Sequence, residues 1–380
     1  MDFLLDGIMS ITWQQVVMYG VGALLIYLAI AKEVEPALLL PMGFGAILVN
    51  LPFSGVLGDA GIIQWLFTVG IEASEAFPLL LFIGIGAMID FEPLLAKPYY
   101  FLLGAAAQFG IFAALLLARV LGFDLPDAAS IGIIGAADGP TAILVAQKLN
   151  SAYMGQIAVV AYSYMALVPI VQPLAIKLVT TKKERRIHMP AQGLKADGTL
   201  AKPITKKTKI LFPIMVTLLA GLVAPDSISL VGFLMFGNLI RECGVLRSLS
   251  ETAQTTLTNL ITLLLGITIS FSMVADKFVR PETLIILLIG LAAFVFDTIG
   301  GVLFAKLLNL FLPHKINPMI GAAGISAFPM SARVVQKMAQ KEDPTNILLM
   351  DAVGANVAGQ IASVVAGGLI LWLVKEVKHY

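Results

Sequence analysis

Asp138 stands in GAADGPT, with no other charged residue between Asp127 and Lys148. A carboxylate at membrane depth costs about 2.5–3.5 kcal/mol on insertion scales, so it faces a cavity or a partner and marks an ion or proton path. The plainer reading is a helix cap, because Asp-Gly-Pro suits a break and a helix restart. One carboxylate can do both. Thr141 offers a hydroxyl as ligand or as cap. A second break holds Asn317, Ser326 and Ser331. Their neutral oxygens, with carbonyls freed by an unwound segment, suit a hard cation and need no soft or imidazole ligand. The bland alternatives are an Asn-Pro turn at Asn317 and small-residue packing at Ser326.

Arg333 lies seven residues beyond Ser326. It can receive a carboxylate through two parallel hydrogen bonds, or snorkel to the interface as an anchor. Tyr162 and Tyr164 in VAYSYMALVP are aromatic-belt residues or the polar face of a helix break before Pro169. Asn356, Gln360 and Ser363 are polar in a Gly/Ala-rich span, as ligands or as close-packing positions. Asp297 and Asp351 are further intramembrane acids whose roles the spacing does not assign. No GxxxxGK[ST] loop is present, so ATP does not drive this chain directly. The three histidines, His188, His314 and His379, form no metal or haem ligand set, and the lone Cys243 excludes an intrachain disulfide.

The elements that must hold these residues occur twice. IGIIGAADGPTAILVAQKLN at 131–150 returns as IGAAGISAFPMSARVVQKMA at 320–339. One offset of 189 carries Gly132 to Gly321, Gly135 to Gly324, Pro140 to Pro329, and Gln147-Lys148 to Gln336-Lys337. More loosely, Pro36 before Phe44-Gly45 matches Pro225 before Phe236-Gly237. Interrupted apolar segments at matching positions of two halves point to a transporter's binding site.

Composition agrees: 58% of the residues are hydrophobic and 13% charged, against about 25% charged in soluble domains. Mean hydropathy is +0.92. Windows 13–31, 99–122, 153–179, 283–311 and 346–374 are long enough to span, and 36–51, 62–90, 208–223, 227–240 and 256–274 are shorter candidates. We expect an all-α polytopic membrane protein of sodium-transporter type. It has two inverted repeats of about five transmembrane helices, each with a broken or re-entrant hairpin. The N-terminal repeat is 1–180 with hairpin 128–149. The C-terminal repeat is 210–380 with hairpin 317–338. Between them, 181–209 is a basic linker, cytoplasmic by the positive-inside rule. Lys32, Lys97, Arg241, Arg247, Lys315 and Lys341 then fall inside. Lys277, Arg280, Lys375 and Lys378 fall outside, against the rule. The first hairpin dips in from outside and the second from the cytoplasm, so that their tips meet near the midplane. Asp2 and Asp6, without a basic region, argue against a cleaved signal peptide. A net charge of +1 gives no pull toward nucleic acid.

At GAADGPTAI, VAYSYMALVPIVQP, KINPMIGAAGISAFPMSARV and GANVAGQIASVVAGG the chain resembles the beta subunit of the biotin-dependent, sodium-translocating carboxylic-acid decarboxylases. That family acts on oxaloacetate, glutaconyl-CoA or methylmalonyl-CoA. The resemblance covers most of the chain outside the linker. It implies a membrane subunit that decarboxylates carboxybiotin, exports sodium and consumes an external proton. It implies a biotin carrier, a carboxyltransferase, a small membrane anchor subunit and further copies of the chain as partners, in a bacterial cytoplasmic membrane. A biotinylation motif is absent here, which fits biotin riding on a separate chain. Asp138 matches the family's essential aspartate, expected both in catalysis and as a sodium ligand. Asn317 and Ser326 match its sodium-linked pair, Asn356 its later asparagine, and Tyr164 and Arg333 its catalytic tyrosine and hairpin arginine. Arg333 and Tyr162 are then the candidates for holding carboxybiotin. Without the resemblance, a sodium-coupled organic-anion symporter or sodium/proton antiporter fits the same composition and spacing. The acyl substrate belongs to the carboxyltransferase and cannot be read from this chain.

Overall fold

A computed structural model of the chain describes residues 2–33, 35–58, 60–73, 75–190 and 203–379. Among them every regular element is helical. In the first half, α1 (Trp13–Ala31), α2 (Pro36–Asn50) and α3, a bent pair of Ile62–Glu72 and Ala76–Met88, precede α4 (Tyr100–Val120). A hairpin of α5 (Leu125–Gly132) and α6 (Gly139–Lys148) follows, then α7 (Met154–Val179). The second half runs through a like series. It comprises α8 (Lys206–Val223), α9 (Ile228–Cys243), α10 (Arg247–Met273), α11 (Pro281–Leu308), a hairpin ending in α12 (Met330–Glu342), and α13 (Leu349–His379).

Among the described residues, α1, α4, α10, α11 and α13 are each long and apolar enough to cross a bilayer. Counting the bent pairs in α3 and α7 as single spans makes seven. Prolines open α2 and α11, where a missing N–H costs nothing, and Pro169 and Pro173 lie inside the bent α7. Leu116, Leu222, Leu288 and Trp372 are exposed, as lipid-facing side chains must be. The interior is instead small. A Cβ on Gly301 would lie 2.2 Å from Gly321 O, and one on Gly321 only 2.0 Å from Gly301 O, so α11 and the second hairpin approach as only glycine permits.

Polar contacts sort the chain ends into two groups. One group joins Lys306 to Glu184 at 2.9 Å, Arg185 to Glu342 at 2.8 Å, His188 to Asp343 at 3.1 Å, Lys209 to Glu92, and Lys97 to Asp351. The other joins Asn50 to Met273 O at 2.9 Å, Gln156 to Lys277 O at 2.8 Å, Ser151 to Asp127 at 2.6 Å, and Lys375 to Asp226. The middle of the linker, with Lys195, Asp197 and Lys202, lies outside the described residues.

Candidate functional site

The first hairpin breaks where its sequence offers a cap. α5 tightens into a 3-10 turn at Ile133–Ala136, Ala137 takes a left-handed φ of 53°, and Asp138 in extended backbone caps α6. Its carboxylate accepts from Thr141 N at 3.5 Å, from Thr141 Oγ1 at 2.7 Å and from Ser363 Oγ of α13 at 3.2 Å. Asp138 is buried. A hydrogen bond to an ionised group is worth about 1.5–3 kcal/mol, so the two hydroxyls offset the cost of placing the carboxylate here. The cap therefore explains how Asp138 is tolerated, but not what its surroundings are for.

The second hairpin meets the first at this point. Ser326 N donates to Ala136 O at 3.2 Å, tip to tip. Ser326 Oγ donates to Gly359 O at 2.9 Å, and Gln360 Nε2 donates to Ser326 O. Asn356 Nδ2 donates to Ile325 O at 2.6 Å and to Ser331 Oγ at 3.0 Å. These bonds use the amide nitrogens of Asn356 and Gln360 and leave their oxygens, Oδ1 and Oε1, buried without a hydrogen-bond partner among the described residues. An orphaned buried acceptor costs about 1–3 kcal/mol, so a ligand that reached these oxygens would offset that cost. A cavity of about 160 Å³ opens there, bounded by Asp138, Ser326 and Gln360 and walled by Ile85, Met88, Met165 and Phe328. Carboxylate, hydroxyl and amide oxygens form the donor set of a hard cation.

Asp138, Ser326 and Asn356 are thus gathered around the tips, and the other candidates stand apart. Asn317 lies at the base of the second hairpin, where Nδ2 donates to Arg185 O at 2.9 Å and Ile187 O at 2.8 Å, both on the linker. Its Oδ1 accepts from Met319 N at 3.0 Å. The Tyr164 hydroxyl donates to Leu287 O and ties α7 to α11. Tyr162 packs its ring on Gly139, beside Asp138, and its hydroxyl is buried without a partner among the described residues. Arg333 is exposed on α12. Asp351 accepts from Lys97 and Tyr100 at one end of the molecule.

The clamp around Asn317 is strongly electrostatic. Burial alone would raise the Glu342 carboxyl, but Arg185, with Lys182 and Arg186 behind it, holds it below the usual range. Hydrogen bonds from Thr345, then from His188, bring Asp343 down to about 2. Two site neighbours escaped the sequence reading. Gln172 Nε2 of α7 donates to Ala322 O at 2.8 Å, and Gln108 Nε2 of α4 donates to Gly324 O at 3.2 Å. The repeat offset would have found Gln108, because it stands 189 residues before Asp297.

Two broken segments thus meet at one buried carboxylate. The family model for the Na+-transporting oxaloacetate decarboxylase beta subunit matches residues 14–374. The chain belongs to this family. It is 48% identical to the glutaconyl-CoA decarboxylase subunit beta of Acidaminococcus fermentans, over 97% of this chain and 96% of that one. It is also 48% identical to the methylmalonyl-CoA decarboxylase subunit beta of Veillonella parvula, over 98% and 96%. The oxaloacetate decarboxylase beta chain of Haemophilus ducreyi is 44% identical, with 96% of each chain covered. As a beta subunit of the sodium-transporting decarboxylases, the chain is a multi-pass membrane component of a multisubunit decarboxylase complex.

Proposed function

We propose that this beta subunit decarboxylates carboxybiotin delivered by a separate biotin-carrier chain, and couples that step to sodium export with uptake of an external proton. The carrying observation is the junction of the two tips, where the buried carboxylate of Asp138 borders one cavity with Ser326 and Gln360, and Asn356 holds the second tip behind it. In this reading Asp138, Ser326 and Asn356 hold sodium. Asn317 is included on the family resemblance, its amide meanwhile fixing the linker. Sodium here is cargo, bound and released.

The chemistry balances as carboxybiotin anion plus a proton giving biotin and carbon dioxide. The carbon–nitrogen bond breaks, and the proton replaces the carboxyl group on nitrogen. Arg333 receives the carboxylate by its planar fork, Tyr162 stands beside Asp138 to hold carboxybiotin, and Tyr164 is included as a catalytic group on the family resemblance. Sodium entering beside Asp138 displaces the need for a proton there, which gives the two ions a common site to exchange. The like order of elements in the two halves supports inverted repeats. The single end shared by linker, Lys97, Arg241 and Lys306 supports a cytoplasmic linker at 181–209. The remaining partners of this reading are the carboxyltransferase, a small membrane anchor subunit and further copies of the chain, in a bacterial cytoplasmic membrane. The acyl substrate is chosen by the carboxyltransferase.

The test is sodium-dependent decarboxylation of carboxybiotin by the intact complex. Asp138→Asn keeps the cap and removes the charge, so we expect loss of turnover of at least about a hundredfold. Unaltered sodium-dependent turnover in that variant overturns the reading.

A further inference from the structure

Asp297 has no part in the site described above, yet it is fully buried within the long apolar helix α11. α4 is interrupted opposite it, where Ala107 and Gln108 separate Tyr100–Ala106 from Phe109–Val120. A helix restart leaves its first N–H groups unpaired. Asp297 supplies the missing acceptor from a neighbouring helix, since Gly110 N donates to its Oδ1. Its other oxygen, Oδ2, is buried without a hydrogen-bond partner among the described residues. That oxygen lies against the first hairpin: a Cβ on Gly135 would stand 2.7 Å from it. Gly135 is three residues before Asp138.

The repeat offset makes this arrangement reciprocal. Gln108 stands 189 residues before Asp297, as Gly135 stands 189 before Gly324. Gln108, in the first half, bonds Gly324 O of the second hairpin at 3.2 Å. Asp297, in the second half, abuts Gly135 of the first. Each half therefore reaches across to brace the other half's broken segment from the same sequence position.

We propose that Asp297 is a positioning residue for the sodium site, holding the break in α4 and, through Gly135, the height of the tip that carries Asp138. Gln108 is its counterpart beneath Ser326. The inference rests on the sodium site of the preceding subsection. A brace of this kind acts on ion affinity, because displaced ligands bind less well before they react less well.

The experiment measures sodium activation of turnover by the intact decarboxylase complex, and sodium protection of the purified chain against thermal unfolding. Asp297→Ala raises the half-saturating sodium concentration about tenfold while saturated turnover stays within about twofold. Asp297→Asn retains an oxygen for the Gly110 amide and restores near-normal sodium dependence. Gly135→Ala raises the sodium requirement too. Combined with Asp297→Ala it adds nothing, because the nearest obstacle to its Cβ is gone. Unchanged sodium dependence in folded Asp297→Ala, or an asparagine variant as impaired as the alanine one, overturns the inference. Should Asp297→Ala fail to fold, Gly135→Ala decides alone: normal sodium dependence there overturns the brace. Asp138→Asn is the control. If it binds sodium normally, the site reading itself falls, whatever Asp297 does.

Discussion

At Asp138 one carboxylate caps a helix and borders a cavity, and the two roles answer to different substitutions. Asparagine keeps the cap oxygen and loses the charge, which is why it tests the ion and not the fold. Ser326 and Asn356 differ from it in what they leave behind. Ser326 Oγ is bonded to Gly359 O, and Asn356 holds Ile325 O and Ser331 Oγ with its nitrogen while its oxygen stays free. We therefore expect Asn356→Asp to change sodium affinity by adding charge, and Asn356→Leu to weaken it about tenfold or more by removing both the ligand oxygen and the tip's support. Sodium titration of turnover checks both. An unaltered half-saturating concentration in the leucine variant excludes Asn356 from the ion site. The identity of these residues was legible in the sequence because a polar side chain in an apolar, interrupted span has few bland uses. Their grouping was not. Asn317 and Ser326 are nine residues apart, and only the course of the unwound chain decides that one braces the linker and the other meets Ala136.

At the scale of elements, the second hairpin is fixed at both ends. Its tip is held by α13, and its base by the start of the linker through Arg185, His188 and the amides of Asn317 and Asn346. The repeat signature marked where both segments break, since Gly, Pro and polar residues coincide under one offset. The clamp was not legible, because a basic linker reads as solvated and nothing local says that Arg185 is buried against Glu342. The clamp has a pH signature. Glu342 and Asp343 have depressed folded values, the latter about 2, so their contribution is present above the unfolded range near 4 and is lost as pH falls through the folded values. We expect the linker to become open to limited proteolysis between about pH 4 and pH 2. Glu342→Gln should open it already at neutral pH, because Arg185 then loses its charge partner. Cleavage of that variant at pH 7 no faster than wild type would remove the clamp from consideration. A second prediction concerns the glycine crossing. Gly321→Val places bulk 2.0 Å from Gly301 O, so the hairpin must move, and we expect loss of folded protein or of sodium-dependent turnover, read by gel filtration and assay.

For the whole molecule, the contacts sort into two ends, and the proposed function puts the carrier at the linker end. α12 runs from the tip, near Met330, to Glu342 at the linker end, and Arg333 is exposed one turn from its start. On the proposed route, a carboxylated carrier arriving from the linker side passes along α12, where Arg333 is exposed. Arginine can hold that carboxylate by two parallel hydrogen bonds; lysine keeps the charge but offers one point contact. Among the described residues the Arg333 side chain makes no hydrogen bond to the oxygens around the tips, so the ion site should be indifferent to the exchange. Arg333→Lys is therefore expected to lower carboxybiotin turnover about tenfold or more, the equivalent of one charge-assisted hydrogen bond, and to leave sodium protection against thermal unfolding intact. Both are measured on one preparation. Normal turnover removes Arg333 from substrate positioning. Lost sodium protection instead moves it into the ion path, and would mean that α12 rotates between the conformation seen here and the one that binds sodium.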